Sequence, residues 1–375
     1  MIDFNLPYLT GDEEKYIFEA VRNGKISGNG KHTKLCQSFF ENRYEFKKSL
    51  LTTSCTDALE MAALLSNLEE GDEVIVPSYT FVSSALAFVR ERAKIVFADS
   101  LPYHPNIDTS KLEELITPKT RVIVVVHYAG VACDMDVVME LADKYNLFVV
   151  EDAAQAIDST YKGKPLGSIG HFGTFSFHET KNIQCGEGGL LAINDDRFSK
   201  RAEIIWEKGT NRAEFFRGEI NKYGWVDIGS SFLPSEITSA YLYAQLLHLD
   251  DIQSKRKAIW NRYNECLQEL NANGDIILPE LPKFATNNAH MFFILTKGSD
   301  ERGKLIDHLR GKEIHAVFHY LALHNSEYYS KKHDRRELPN SVNFEKSLLR
   351  LPFFNDLQLD QVDYICESIK EFYKG

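Results

Sequence analysis

RVIVVVHYAGVACDMDVVMELADKYNLFVVEDAAQA, residues 121 to 156, sets an apolar run, an amphipathic stretch and a second apolar run in succession. RVIVVV (121 to 126) and LFVVED (147 to 152) are strand-like, whereas DVVMELADKYN (136 to 146) spaces its apolar residues as a helix lying on a sheet does. A helix between two such strands implies a parallel pair. The same rhythm precedes this unit, with EVIVP (73 to 77), KIVFAD (94 to 99) and the helical TDALEMAALLSNL (56 to 68). The expected fold class is therefore α/β, with a largely parallel sheet. At the start of the chain, Thr10 with Glu13 three positions on predicts a capping box and a first helix ending near Asn23-Gly24.

Beyond about residue 250 the pattern changes. A long charged helix (roughly 251 to 271) leads to the strand-like MFFILT and HAVFHY, and a last helix follows Gln358. A chain of 375 residues exceeds what one core organises, so a large domain at 1–250 and a smaller C-terminal α+β domain at 251–375 are expected. No internal repeat or low-complexity linker is visible.

Composition narrows the function. With 43% hydrophobic and 26% charged residues and no stretch near the roughly 18 apolar residues of a membrane helix, a membrane protein is not expected. The N-terminus MIDFNLPYLTGDEEKY lacks a basic region followed by an apolar core, which makes the cytoplasm the expected compartment. A formal net charge of −11 speaks against a nucleic-acid partner. Six cysteines scattered without Cys-x-x-Cys spacing argue against a disulfide framework and a zinc site.

In an open α/β sheet ligands gather outside the carboxyl ends of the strands, and four such places carry chemistry. After KKSLLTTS come Cys55 and Thr56 at a helix start, where free N–H groups and the helix dipole suit an anion; Thr56 as a simple cap is the plainer reading. In PSYTFVSS (77 to 84), Phe81 either fills the core or lies against a planar ligand. Glu151-Asp152-Ala153-Ala154-Gln155 ends a strand in two carboxylates, either helix caps or a partner for a protonated ring nitrogen. The fourth is TFSFHETKNIQCGEGG (174 to 189): Ser176 and His178 alternate with Phe175 and Phe177, and Lys181 precedes a glycine-rich turn. A lysine there is ordinarily a solvated charge, but desolvated among strand ends it becomes a neutral nucleophile.

An anion-binding helix start, an aromatic face, an acid for a pyridine nitrogen and a lysine amine together make the contact set of pyridoxal 5'-phosphate (PLP). The ordered segments TSCTDALEMAA, PSYTFVS, VHYAGVACDMD, VVEDAAQA, SFHETKN and GEGG resemble the nucleotide-sugar aminotransferase family of fold-type-I PLP enzymes. EKGTNRAEFFRG, DIGSSFLPSEITSAYLYAQL, NNAHMFF and VFHY extend the resemblance over nearly the whole chain.

That resemblance implies a three-layer large domain around a mostly parallel mixed sheet. It also implies that Lys181 joins covalently to PLP and later moves protons, that Asp152 pairs with the ring nitrogen, that Gln155 bonds the phenolic oxygen and that Phe81 stacks on the ring. Cys55, Thr56 and Ser176 would hold the phosphate. Ser231 stands where much of the family places an asparagine reaching from the partner subunit, within a homodimer. The implied substrates are L-glutamate and a dTDP-linked 4-keto-6-deoxy-D-glucose aminated at C4, with 3-keto or UDP-linked sugars as alternatives. Lys25, His178, Arg212, His290, His319 and Tyr320 are the candidate substrate contacts, each with a structural or solvated alternative. The family's dehydratase branch carries histidine in place of the lysine, so Lys181 argues against it; a non-catalytic protein retaining the fold is the remaining alternative.

Overall fold

A computed structural model describes residues 1–374. After α1 (Glu13–Arg22) and α2 (Lys31–Tyr44) the chain alternates through β1 (Lys48–Thr52), α3 (Cys55–Leu65), β2 (Glu73–Pro77), α4 (Ser83–Arg90), β3 (Lys94–Ala98), β4 (Thr120–Val126), α5 (Met135–Tyr145) and β5 (Phe148–Asp152). The short pair β6 (Thr160–Tyr161) and β7 (Lys164–Pro165) precedes β8 (Phe172–Ser176) and β9 (Gly189–Ile193). Helices α6 (Ser199–Trp206), α7 (Arg212–Phe216) and α8 (Glu236–Leu247) lead into the 24-residue α9 (Leu249–Ala272). The chain closes with β10 (Phe293–Leu295), α10 (Ser299–Gly311), β11 (Val317–Phe318), α11 (Pro339–Ser347), β12 (Leu348–Arg350) and α12 (Leu359–Lys374).

Seven strands form the main sheet in the order β1-β9-β8-β5-β4-β2-β3, and β9 alone opposes the common direction. The α/β class with a mostly parallel mixed sheet is therefore as expected. Along β4, Val122 and Val124 enter the core on one face of the sheet while Ile123 and Val125 enter the core on the other. Helices cover both faces, which is why β4 is apolar at each position from Val122 to Val126. The register pairs Val126 with Asp152 and Asp152 with Thr174, so the carboxyl ends of β4, β5 and β8 open at one edge.

A separate apolar core gathers Ile259, Tyr263, Phe292, Ile294, Leu349, Leu351 and Ile365 around the three-stranded sheet β10-β12-β11. Helix α9 joins the two cores, with Leu249 and Ile252 in the first and Ile259 onward in the second. The first residues belong with the C-terminal body: Ile2 bridges to Ile314, and Phe4 O accepts from Phe353 N at 3.1 Å.

The start of α1 departs from the expected capping box. Glu13 does reach back, accepting from Thr10 N at 2.8 Å, Thr10 Oγ1 at 2.9 Å and Gly11 N at 2.9 Å. The helix nevertheless begins at Glu13 itself, behind Asp12, because the buried carboxylate is also claimed by Gln245 Nε2 from α8 at 2.7 Å. A tertiary contact outweighs the local pattern.

Candidate active site

The pleat of β5 sends its two terminal carboxylates to opposite sides. Glu151 is fully buried and organises a loop, accepting from the N–H groups of Gly167, Ile169 and Gly170 at 2.8, 2.7 and 2.6 Å and bonding His127 Nε2 at 3.0 Å. Asp152 faces the opening. It accepts from Ser84 Oγ at 2.7 Å and Ala154 N at 3.1 Å, and burial holds its pKa above the usual carboxylate range. Such a group gains most from a cationic N–H partner.

Lys181 stands beside it, in the turn after β8. Its backbone N–H donates to His178 O at 2.9 Å, and among the described residues its amine has neither a hydrogen bond nor an ion pair. Burial pushes the amine down to about 8; Cys55 and Asp152 oppose the shift and Arg350 adds to it. The glycines explain how the chain returns: Gly186 has φ +76°, and a Cβ on Gly189 would lie 2.4 Å from Cys55 N and from Ser54 O. Only a glycine lets β9 pass this close to the start of α3.

That start is an anion site of helix type. Ser54, not Thr56, is the cap, its hydroxyl accepting from Asp57 N at 3.1 Å, which leaves the Cys55 and Thr56 N–H groups without a protein partner among the described residues. Thr56 Oγ1 lies 2.8 Å from Ser83 Oγ, and Ser176 Oγ is partly exposed at the end of β8. Two free N–H groups and nearby hydroxyls fit a phosphate.

Phe81 is 55% exposed, so the core reading fails for it, and its ring sits 6.0 Å from that of Tyr320. Gln155 is fixed at both ends of its amide: Oε1 accepts from Ala129 N at 2.6 Å and Nε2 donates to the Tyr320 hydroxyl at 3.2 Å. His319 Nδ1 bonds the Tyr128 hydroxyl at 2.9 Å, and burial holds its pKa well below the ordinary histidine value. His319 and Tyr320 thus come from the C-terminal body to the edge where Lys181, Asp152, Gln155 and Phe81 meet.

His290 takes a different place from the one expected of a substrate contact. It is 3% exposed and its Nδ1 bonds Asn182 Oδ1 at 2.8 Å, while Asn182 Nδ2 donates to Gln253 Oε1 and Asn288 O. It braces the residue next to Lys181 instead of facing solvent. His178 lies at the rim, 3.0 Å from Thr180 Oγ1 and 3.7 Å from Glu187.

Lys25, Arg212 and Ser231 do not join the group around Lys181 within one chain. They line a cleft of about 780 Å³ with Lys34, Lys48 and Lys208, to which neither Lys181 nor Asp152 contributes. The Lys25 amine donates to Asn29 O at 2.9 Å, and Arg212 comes within 4.0 Å of Glu207. Glu236 on α8 fixes the start of α2, accepting from Gly30, His32 and Thr33 N–H groups. Sequence reasoning missed Ser84, Tyr128, Asn182 and Arg350. The first three lie in or beside quoted motifs, whereas Arg350 carried no signal.

The chain matches the DegT/DnrJ/EryC1/StrS aminotransferase family over residues 7–370. It belongs to that family. GDP-perosamine synthase of Escherichia coli O157:H7 is 34% identical, covering 98% of this chain and 97% of that protein. The spore coat polysaccharide biosynthesis protein SpsC of Bacillus subtilis is 31% identical, covering 100% of this chain and 97% of that one. Among solved structures, the sugar aminotransferase Spr1654 of Streptococcus pneumoniae in its PMP-form superposes with a TM-score of 0.92 at 26% identity, covering 100% of this chain and 99% of that chain. The DegT-family chain is thus a fold-type-I sugar aminotransferase that depends on PLP. Its free N–H pair, exposed aromatic face, buried carboxylate and desolvated amine fit that cofactor group by group.

Proposed function

We propose that this protein transfers an amino group from L-glutamate to the C4 keto group of dTDP-4-keto-6-deoxy-D-glucose, giving dTDP-4-amino-4,6-dideoxy-D-galactose and 2-oxoglutarate. The observation that carries the aminotransferase part is the Lys181 amine, without a protein partner among the described residues and held near 8, beside the buried carboxylate of Asp152. PLP, when bound, supplies an electrophilic carbon and an electron-accepting ring. The chain does the rest. Cys55 and Thr56 N–H groups, with Ser176, hold the phosphate; Phe81 covers one ring face; Gln155 meets the phenolic oxygen; Asp152 keeps a proton on the ring nitrogen. Lys181 takes a proton from the α-carbon of the donor and delivers one to the sugar carbon, since an amine near 8 both accepts and releases protons at neutral pH.

The large domain at 1–250 carries the cofactor contacts in this reading, and the C-terminal domain at 251–375 closes the site with His319 and Tyr320. We place the enzyme in the cytoplasm, where a phosphorylated cofactor and a nucleotide sugar meet; no helix among the described residues is long and apolar enough to cross a membrane. The assembly is a homodimer. What supports it is the cleft of Lys25, Arg212 and Ser231, to which neither Lys181 nor Asp152 of the same chain contributes, and the exposed Phe18, Val21, Trp225, Val226 and Ile228. In that assembly the cleft's cations meet the sugar diphosphate across the interface, and Ser231 serves the cofactor phosphate of the other subunit.

C4 rests on the resemblance of the EKGTNRAEFFRG, DIGSSFLPSEITSAYLYAQL, NNAHMFF and VFHY segments, and thymidine on the overall likeness. A GDP-linked substrate is the second reading, favoured by the relative named GDP-perosamine synthase. Incubation with glutamate and dTDP-, UDP- and GDP-linked 3-keto and 4-keto sugars, with NMR of the product, tests the choice. The expected product is the 4-amino galacto sugar on dTDP; a C3 amine, gluco stereochemistry or another base overturns it.

A further inference from the structure

Glu151 is buried with both carboxylate oxygens fully engaged. Its Oε1 accepts from Ile169 N at 2.7 Å and Gly170 N at 2.6 Å, and its Oε2 from Gly167 N at 2.8 Å. The fourth contact is His127 Nε2 at 3.0 Å, and its direction is fixed from the far side of the ring. Cys133 N–H can only donate, and it reaches His127 Nδ1 at 3.2 Å, so Nδ1 carries the lone pair and the proton sits on Nε2. His127 is thus held at both nitrogens, and the carboxylate that holds it is itself anchored by three backbone N–H groups.

What this pair secures is the bend after β4. His127 N donates to Asp152 O at 3.2 Å and Gly130 N donates to His127 O at 3.1 Å; between them Ala129 lies at φ 56°, where L side chains rarely sit. Such a conformation persists only where its surroundings impose it. Tyr128 N donates to Asn106 Oδ1 at 2.9 Å and Ser159 Oγ donates to Gly130 O at 2.5 Å, so the bend is held on either side of the strained residue as well as at its root. The contact of Ala129 that bears on the site is its N–H, which donates to Gln155 Oε1 at 2.6 Å.

That contact decides what the shape of the side chain leaves open. The two ends of a glutamine amide are nearly alike in size, and only a partner sets which of them faces a ligand. With Oε1 taken by Ala129 N–H, Nε2 is left as the donor, directed to the Tyr320 hydroxyl at 3.2 Å. A reversed amide would meet an anionic oxygen with an acceptor.

We propose, resting on the aminotransferase reading above, that His127 is a positioning residue: pinned by Glu151, it holds the bend that makes Gln155 a hydrogen-bond donor to the phenolic oxygen of PLP. It acts through Ala129 and Gln155, not by contact with the cofactor. A donor at that oxygen stabilises its anion and lowers the pH at which the visible absorbance of the holoenzyme titrates.

The test is a pH titration of that absorbance, which needs no sugar substrate. His127→Asn keeps an acceptor for Cys133 N–H but is too short to reach Glu151, His127→Gln extends an N–H to Glu151, and Gln155→Leu removes the amide altogether. Asp152, Cys55, Arg350, His290, His319 and Tyr320, the charged and titratable groups around Lys181 and Gln155, stay in place throughout. The midpoint is expected to rise by about one pH unit in His127→Asn and in Gln155→Leu, to stay near wild type in His127→Gln, and to rise no further when His127→Asn and Gln155→Leu are combined. An unmoved midpoint in either of the first two, full addition in the double variant, or a His127→Gln midpoint equal to that of His127→Asn overturns the proposal. Loss of PLP binding in His127→Asn overturns it too, because the histidine then supports the whole site and not the Gln155 contact. Each of these leaves the aminotransferase reading intact, whereas wild-type protein without cofactor absorbance defeats that reading itself.

Discussion

The hydroxyl of Ser84, at the start of α4, donates to Asp152 Oδ2 across 2.7 Å and 68 residues of sequence. Among the described residues it is the one side-chain hydrogen bond that the carboxylate receives, the other donor being the Ala154 N–H at 3.1 Å. Burial already raises the pKa of Asp152, and the Ser84 contact works against that rise. Ser84→Ala therefore makes the carboxylate harder to keep ionised beside a ring nitrogen. A hydrogen bond to a charged group contributes about 1.5–3 kcal/mol, so kcat/KM is expected to fall roughly 10- to 100-fold. Steady-state kinetics of Ser84→Ala and Ser84→Thr check this, with threonine retaining most of the activity.

The lowered pKa of Lys181 gives the apoprotein a pH signature. A lysine at about 8 when folded and 10.5 when unfolded binds fewer protons in the native state between those values. Stability from this group therefore rises with pH across that window and is lowest below pH 8, where the buried amine is charged in both states. The full span is at most about 3 kcal/mol. Chemical denaturation of apoprotein from pH 7 to 11 is expected to show wild type gaining on Lys181→Met as pH rises, with Lys181→Met the more stable of the two at pH 7.

Gly189 has no room for a side chain, because a Cβ would meet Cys55 N at 2.4 Å. Gly189→Ala must push β9 away from the start of α3 or turn the Cys55 and Thr56 N–H groups off their common target. Either displacement weakens phosphate binding before it unfolds the sheet. Fluorescence titration with PLP is expected to give at least tenfold weaker binding, and Gly186→Ala, whose strain comes from φ +76° and not from crowding, a smaller loss.

Much of this site was legible because parallel strands buried on both faces print themselves as apolar runs. β2, β3, β4 and β5 fall within a residue of EVIVP, KIVFAD, RVIVVV and LFVVED. The site lies where such strands end, so Asp152 and Lys181 could be singled out by position. Side-chain direction was not legible. NNAHMFF gives no sign that His290 turns inward to Asn182, since that depends on packing between residues 108 apart. LLRLP presents Arg350 as one polar residue among leucines, the mark of an ordinary surface position, and its desolvation exists only once Phe4 and Tyr128 are folded around it.

If Arg212 and Ser231 serve the other subunit, defects in different chains complement one another. Lys181→Ala and Arg212→Ala homodimers are each expected to be nearly inactive. When the two are unfolded and reassembled together, half of the dimers are hybrids with one intact site, which restores roughly a quarter of wild-type activity. No recovery on mixing means that both residues act within one chain.

The covalent role of Lys181 is tested most directly by borohydride reduction of the holoenzyme followed by peptide mass mapping. The expected result is a single reduced pyridoxyl adduct on the peptide containing Lys181, abolished by Lys181→Ala. An adduct on another lysine, or none on protein that binds PLP, contradicts the account.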